Sequence, residues 1–298
     1  MKSTIAFKFT LNSRCGVAIV AAATLLLAAC ANIGSTQAPT LSKERIAEIL
    51  ASPDRRETDR TNDIRRKPAD MLAFIGIRPG MVALDVVTGG GYTTELLARA
   101  VGPTGRVYGQ SAPRNPAPPA APLATSEGNS HPNLAAAPVV PAPAATPAPR
   151  PTSAQMLAER AKNAGLNNIV AVERKYDNPV PAELSSNALD LVTLMFNYHD
   201  LAYQPIDRVQ MNKAIFAALK FGGIYVIADH ASRPGTGISE ASTLHRMEDT
   251  FLRKEIEAAG FKLAEEGNFL RNPNDPRDKN TPNPPMPKDE FVYKFVKP

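Results

Sequence analysis

Apolar positions along this chain switch between helical spacing and short continuous runs, and the switching sets out an ordered series of elements. Helical spacing over 41–51 puts Ile46, Ile49 and Leu50 on one face, and a second helix is predicted over 68–75. Residues 81–87 form a short apolar run with one acid, Asp85, near its end, and read as a strand. Residues 92–100 carry Leu96, Leu97 and Ala100 at helical spacing, and Gly102-Pro103 ends that helix. A strand follows at 106–110. After a long proline-rich interval come a helix at 153–164, a strand at 168–174, a strand over 190–198 and a helix over 206–219 that Gly222-Gly223 terminates. A strand at 224–230, a helix at 242–259, a strand at 261–266, a proline- and Asp/Asn-rich loop at 271–288 and a strand at 291–296 complete the series. Strands alternating with helices predict an α/β fold, with a mostly parallel sheet covered on both faces. The two strands at the end, with no helix between them, predict one antiparallel pairing.

Two intervals break the pattern. Residues 52–67 are dense in charge of both signs, from Asp54 to Arg66. The plain reading is a solvated helix laced with i,i+4 pairs; the functional one is a cover over a ligand site, because the segment directly precedes the first strand. Residues 112–151 hold 12 of the 28 prolines, with Ala, Ser and Asn, and offer no face that could bury a core. They read as a disordered insertion within one domain spanning 41–298.

The N-terminus changes the meaning of the charge. Lys2, Lys8 and Arg14 precede an apolar stretch, 16–29, too short for a confident membrane span, and that stretch ends in Leu27-Ala28-Ala29-Cys30. This end resembles the bacterial lipobox. The resemblance implies a signal peptide over 1–29, lipid on Cys30, a tether over 30–40 and export to a bacterial membrane facing the periplasm, with the outer membrane as destination. The formal charge is +5, but three of the 34 Lys and Arg and none of the 29 Asp and Glu lie in 1–29, so the remainder carries +2. No Lys/Arg-rich run accompanies it, which argues against a nucleic-acid partner. With Cys15 in the signal and Cys30 lipidated, neither a disulfide nor a cysteine metal site remains.

The chemistry concentrates where the first strand enters its helix through Gly89, Gly90 and Gly91. Glycines at such a turn bring bare backbone and a helix N-terminus up to a ligand. The acid-then-alternate-glycine pattern, here Asp85, Val87, Gly89 and Gly91, resembles motif I of the class I S-adenosylmethionine-dependent methyltransferases, with Val87 in place of the first glycine. The dinucleotide fingerprint fits worse, because Thr94 stands where it needs glycine. The resemblance covers about 55–298 apart from the insertion. It implies a Rossmann-like seven-stranded sheet with the last strand antiparallel, and S-adenosylmethionine as cofactor.

On that resemblance the cofactor meets Asp85, Gly89, Gly91, Tyr92, Thr93, Gln110 and Asn197. Thr93 could equally be a plain helix cap. Gln110 stands where the family carries an acid for the ribose hydroxyls. The fourth strand ends in Asn197-Tyr198-His199-Asp200, with His199 as candidate general base and Asp200 as its orienting partner; the plain alternative is a loop cap and a turn. Further on, Asp229-His230, Pro234-Gly235, Leu244-His245-Arg246 and Leu270-Arg271-Asn272-Pro273 resemble a set of bacterial predicted methyltransferases, often carried behind an export signal. That resemblance implies an acceptor pocket that includes Tyr198, His230, His245 and Arg246. The histidine spacings match no zinc motif, so no metal is expected. The function expected is methyl transfer to an unknown acceptor by a lipid-anchored envelope protein. The rivals are an inactive envelope lipoprotein of the same fold with a binding or structural role, and a nicotinamide-dependent oxidoreductase.

Overall fold

A computed structural model describes residue 1, residues 39–113 and 151–282, and residues 284–298. The expected signal peptide beyond residue 1, Cys30 and nearly all of the expected insertion therefore lie outside the described residues. Pro39–Pro298 form one compact unit. No helix among the described residues is long and apolar enough to cross a membrane.

The elements are α1 (Lys43–Ala51), α2 (Glu57–Arg66), α3 (Pro68–Ile75), β1 (Val82–Val86), α4 (Tyr92–Val101), β2 (Arg106–Ser111), α5 (Ser153–Asn163), β3 (Ile169–Glu173), β4 (Leu189–Met195), α6 (Tyr198–Ala202), α7 (Arg208–Ala218), β5 (Leu219–His230), α8 (Ala241–Leu244), α9 (Asp249–Ala258), β6 (Lys262–Gly267) and β7 (Glu290–Val296). Among the described residues, seven strands form one sheet in the order β3-β2-β1-β4-β5-β7-β6. Only β7 runs antiparallel to its neighbours, and it lies between β5 and β6. The expected fold class is thus the observed one.

Two apolar layers sandwich the sheet. One joins Leu84 and Val86 to α7 and α9 through Met211, Ile215, Leu252 and Ile256. The other joins Ala83 and Leu191 to α1, α3 and α4 through Ile49, Leu72, Ile75 and Leu97. Alternate residues of β1 thus serve opposite faces, as the pleat requires. Helix α5 resumes the fold after the insertion with a reciprocal capping box between Thr152 and Gln155.

Three expected elements differ. The strand expected over 224–230 starts at Leu219, so the helix before it ends at Ala218 and Gly222-Gly223 lie within β5. The strand predicted over 190–198 stops at Met195, because Phe196 turns left-handed (φ 61°) and Tyr198 starts a helix. The helix predicted over 242–259 is two helices, broken at His245, which is also left-handed (φ 50°). Both breaks lie at the carboxyl edge of the sheet.

Candidate functional site

The carboxyl ends of β1 and β4 open onto a pocket of about 130 Å³ between the glycine turn and α2. Register fixes its floor: Asp85 of β1 stands opposite Thr193 of β4. The Thr193 hydroxyl donates to Asp85 Oδ1 (2.7 Å) and the Thr94 hydroxyl to Oδ2 (2.6 Å). Burial pushes the Asp85 carboxyl up to about 6, against the pull of those two hydroxyls and the Arg66 charge.

The turn above Asp85 is held in unusual backbone. Gly91 has φ 80°, and a Cβ there would come within 2.7 Å of Leu157 Cδ1 on α5. Gly89 has nothing within 4 Å of its missing side chain, so the space above it is open. Val87, at the position where motif I has its first glycine, nevertheless takes the glycine conformation (φ 59°). A β-branched residue there is strained. Val87 and Phe196, at the ends of adjacent strands, are both left-handed and both border this edge.

Helix α2 covers the turn with its charged side inward. Asp59 is 4% exposed while Ile64 is 81% exposed. Arg55 grips Asp63 through two bonds of 2.7 Å, and the Tyr92 hydroxyl donates to the same carboxylate. Arg160 of α5 reaches between Asp59 and Glu95 and donates to the Gly90 carbonyl (2.7 Å). The solvated-helix alternative is therefore replaced by an ion-paired cover.

Among the described residues, one buried cation in this wall makes no ion pair or hydrogen bond. Arg66 lines the pocket, 9% exposed, with its guanidinium 4.6 Å from the Phe196 ring centroid and 5.3 Å from that of Tyr92. Its Nε is buried without a hydrogen bond. Burial, reinforced by neighbouring Arg65, lowers it to about 10, so it stays charged at neutral pH.

Beyond β4 a second group assembles. His199, fully buried, donates from Nδ1 to Asp229 (2.6 Å), and Asp229 also accepts the backbone N–H groups of His199 and His230. His199 Nε2 lies 3.3 Å from Asp200 Oδ1 but makes no hydrogen bond of acceptable geometry. Burial opposes the imidazolium, yet Asp229 and Asp200 override it and raise His199 to about 10. His230 packs between the rings of Phe196 and His199, with Nδ1 3.0 Å from Glu290. Burial, with Lys288 and His199 nearby, keeps it well below the ordinary histidine range. His245 Nδ1 lies 3.4 Å from Asp200 Oδ1.

The family model for protein-L-isoaspartate(D-aspartate) O-methyltransferase matches residues 51–113, which hold the cover, the glycine turn and β2. No curated protein sequence matches the chain. Among solved structures, the [4+2]-cyclase SpnF is 16% identical over 88% of this chain and 97% of its own, with a TM-score of 0.51. The chain has a Rossmann-like methyltransferase fold. A SAM-dependent methyltransferase from Aquifex aeolicus, 16% identical, covers 87% of this chain and 100% of its own with a TM-score of 0.49. Fibrillarin from Aeropyrum pernix with natively bound S-adenosyl-L-methionine, 14% identical, covers 73% and 67% with a TM-score of 0.41.

Within this methyltransferase fold, the pocket brings together Asp85, Gly89, Tyr92, Thr93 and Asn197. Thr93 makes no capping bond, since the residue before the helix is Gly91. Gly91 stands behind the pocket, against α5. Gln110 does not enter it: its amide accepts from the Val87 N–H (3.2 Å) and donates to the Arg174 carbonyl (2.6 Å), stapling the exits of β1 and β3. His199, Asp200, His230 and His245 lie together. Tyr198 does not join them; it points into the α7–α9 layer, where its hydroxyl donates to Glu255 and accepts from Asn212. Arg246 is also elsewhere, fully buried and tying the 271–288 loop to the end of β5 through the Ala231 carbonyl, the Lys279 carbonyl and Asp275. Sequence reasoning missed Arg66, Arg160 and Asp229 as parts of the site. One signal was present: Glu95 sits within the apolar face of α4, and a buried acid needs a cation.

A larger hollow, about 380 Å³, lies at the opposite, amino ends of β2 and β3 beside Arg106 and Asn168. It faces away from the edge at which such sheets bind ligands.

Proposed function

We propose that the chain is an S-adenosylmethionine-dependent methyltransferase whose cofactor lies over the Gly89–Gly91 turn. One observation carries the reading. The pocket sets a carboxylate, Asp85, in its floor and a buried, partnerless guanidinium, Arg66, in its wall. These are the charges that the ammonium and carboxylate of a methionyl group need. Bound there, S-adenosylmethionine would supply an electrophilic methyl group to the acceptor. The sulfonium is already activated, so positioning supplies most of the catalysis. His199 holds a proton at neutral pH next to Asp229 and Asp200. Without another cation there it orients an acceptor and does not take its proton.

The proposal includes export and a lipid anchor on Cys30 facing the periplasm, which rest on the sequence of residues 1–30. Cys30→Ser is expected to release the protein from membranes without changing its melting temperature; undiminished lipid labelling would rule the anchor out. One observation favours a second reading, an inactive envelope lipoprotein of this fold. Gln110, in the place of the family's ribose-binding acid, is bonded within the sheet. Calorimetry of the full chain with S-adenosylmethionine and with NADPH separates the readings. One-to-one binding of the first alone is expected, and silence toward both at millimolar ligand would leave the inactive reading standing.

A further inference from the structure

We propose that His199, Asp200 and His245 form a binding site for one divalent transition-metal ion of the zinc type. One ligand atom from each of the three lies within 4.8 Å of the other two. The contacts to Asp200 Oδ1 are 3.3 Å from His199 Nε2 and 3.4 Å from His245 Nδ1. Both are long for hydrogen bonds. They match the spacing of neighbouring ligands around an ion, since metal–ligand bonds of about 2.0–2.1 Å in a tetrahedral site place ligand atoms about 3.3–3.4 Å apart.

Independent support comes from His199. Its Nε2 is buried without a hydrogen bond, and it faces the other two groups. The Asp229 carboxylate fixes the donor proton on Nδ1, which leaves Nε2 as the ligating nitrogen; a carboxylate behind the imidazole is the usual outer support of a metal-bound histidine. His245 is held in a strained left-handed conformation at the break between α8 and α9, and that break delivers its ring to the cluster. Two imidazoles and one carboxylate suit zinc, iron, cobalt or manganese over magnesium or calcium, which prefer oxygen. Asp200 and His245 are partly exposed, so a fourth position is open to water or an acceptor atom. The ion takes the place of the proton on Nε2. Linear spacing hides the site, because its ligands come from two segments 45 residues apart.

The site does not depend on cofactor binding, and its test does not measure methyl transfer. The full chain, stripped with a chelator, is titrated with Co2+ followed by visible absorption, then with Zn2+ in competition and with Mg2+. One equivalent of Co2+ with the absorption of a low-coordinate nitrogen-bearing site is expected, displaced by Zn2+ and indifferent to Mg2+. His245→Ala and Asp200→Asn should each weaken Zn2+ by about 100-fold or more, and Asp229→Asn by roughly 10- to 100-fold, as for an outer partner. The metal-free His245 variant should keep the wild-type melting temperature, since that side chain reaches solvent, and the Asp200 variant should unfold cooperatively at a lower temperature. Absence of a bound equivalent in the wild type, or wild-type affinity in either folded variant, would overturn the site.

Discussion

The two halves of the sheet's carboxyl edge bury charge in opposite ways. Around the glycine turn, carboxylates and guanidiniums are matched in a network, through Arg55 with Asp63 and through Arg160 and Arg99 with Asp59 and Glu95, and among the described residues one buried cation there, Arg66, is left over. Beyond β4, two carboxylates converge on one imidazole, and a ring nitrogen is left over. Since unpaired buried polar groups are disfavoured, each leftover marks what its half is built to receive. The first lacks an anion and the second lacks a cation. A ligand that carries a carboxylate and a metal ion complete them separately.

The largest expected effect tests the pairing itself. Arg160→Ala leaves Asp59 buried without its cation and Glu95 held by Arg99 alone, and thermal or denaturant unfolding should show a loss of about 3–5 kcal/mol. A loss under 1 kcal/mol would mean that the network is loosely hydrated and the contrast between the halves is wrong. Arg66→Ala should behave in the opposite manner. Removal of a partnerless buried cation should leave stability unchanged or higher, while affinity for S-adenosylmethionine falls by about 1.5–3 kcal/mol in calorimetry.

Asp85 sharpens the comparison through pH. Its carboxyl is raised to about 6 in the fold from an ordinary 3.8, so between those values the folded state binds more protons than the unfolded one. Its contribution to stability therefore increases as pH falls from about 6 towards 4. Cofactor affinity should move the other way, by up to about tenfold per pH unit below 6, because the neutral acid no longer attracts an ammonium group. Asp85→Asn should flatten both trends, and a pH-independent affinity in the wild type would remove Asp85 from the ligand's contacts. The smallest effect concerns strain. Val87→Gly relieves a left-handed valine while losing a half-buried side chain, and should change stability by under about 1 kcal/mol. Val86→Gly, in regular strand and fully buried, should cost about 3 kcal/mol or more.

Periodicity made most of the fold legible. Residues 68–75 and the elements around the glycine turn lie where apolar spacing put them, because local sequence there agrees with burial. The breaks at Phe196 and His245 were not legible. In both places the apolar pattern runs on while the backbone turns left-handed, and nothing in side-chain spacing encodes that. Charge was the other blind spot. Residues 52–67 read plainly as a solvated helix, with a cover as the functional alternative, and the ion pair from Arg160, about a hundred residues away, helps turn Asp59 inward. Tyr198 was misplaced because a one-turn helix after β4 rotates neighbours to opposite sides, sending His199 to the site and Tyr198 into the core.

The inverted polarity of α2 has a thermodynamic consequence. A cover seated by apolar contacts exposes hydrocarbon when it lifts, with a rise in heat capacity and an adhesive surface. Helix α2 already displays Ile64 to solvent and hides its ions, so its lifting hydrates charge instead. Such an opening has a small heat-capacity increment, responds to ionic strength more than to temperature, and presents no greasy face to neighbouring molecules while the pocket is being loaded.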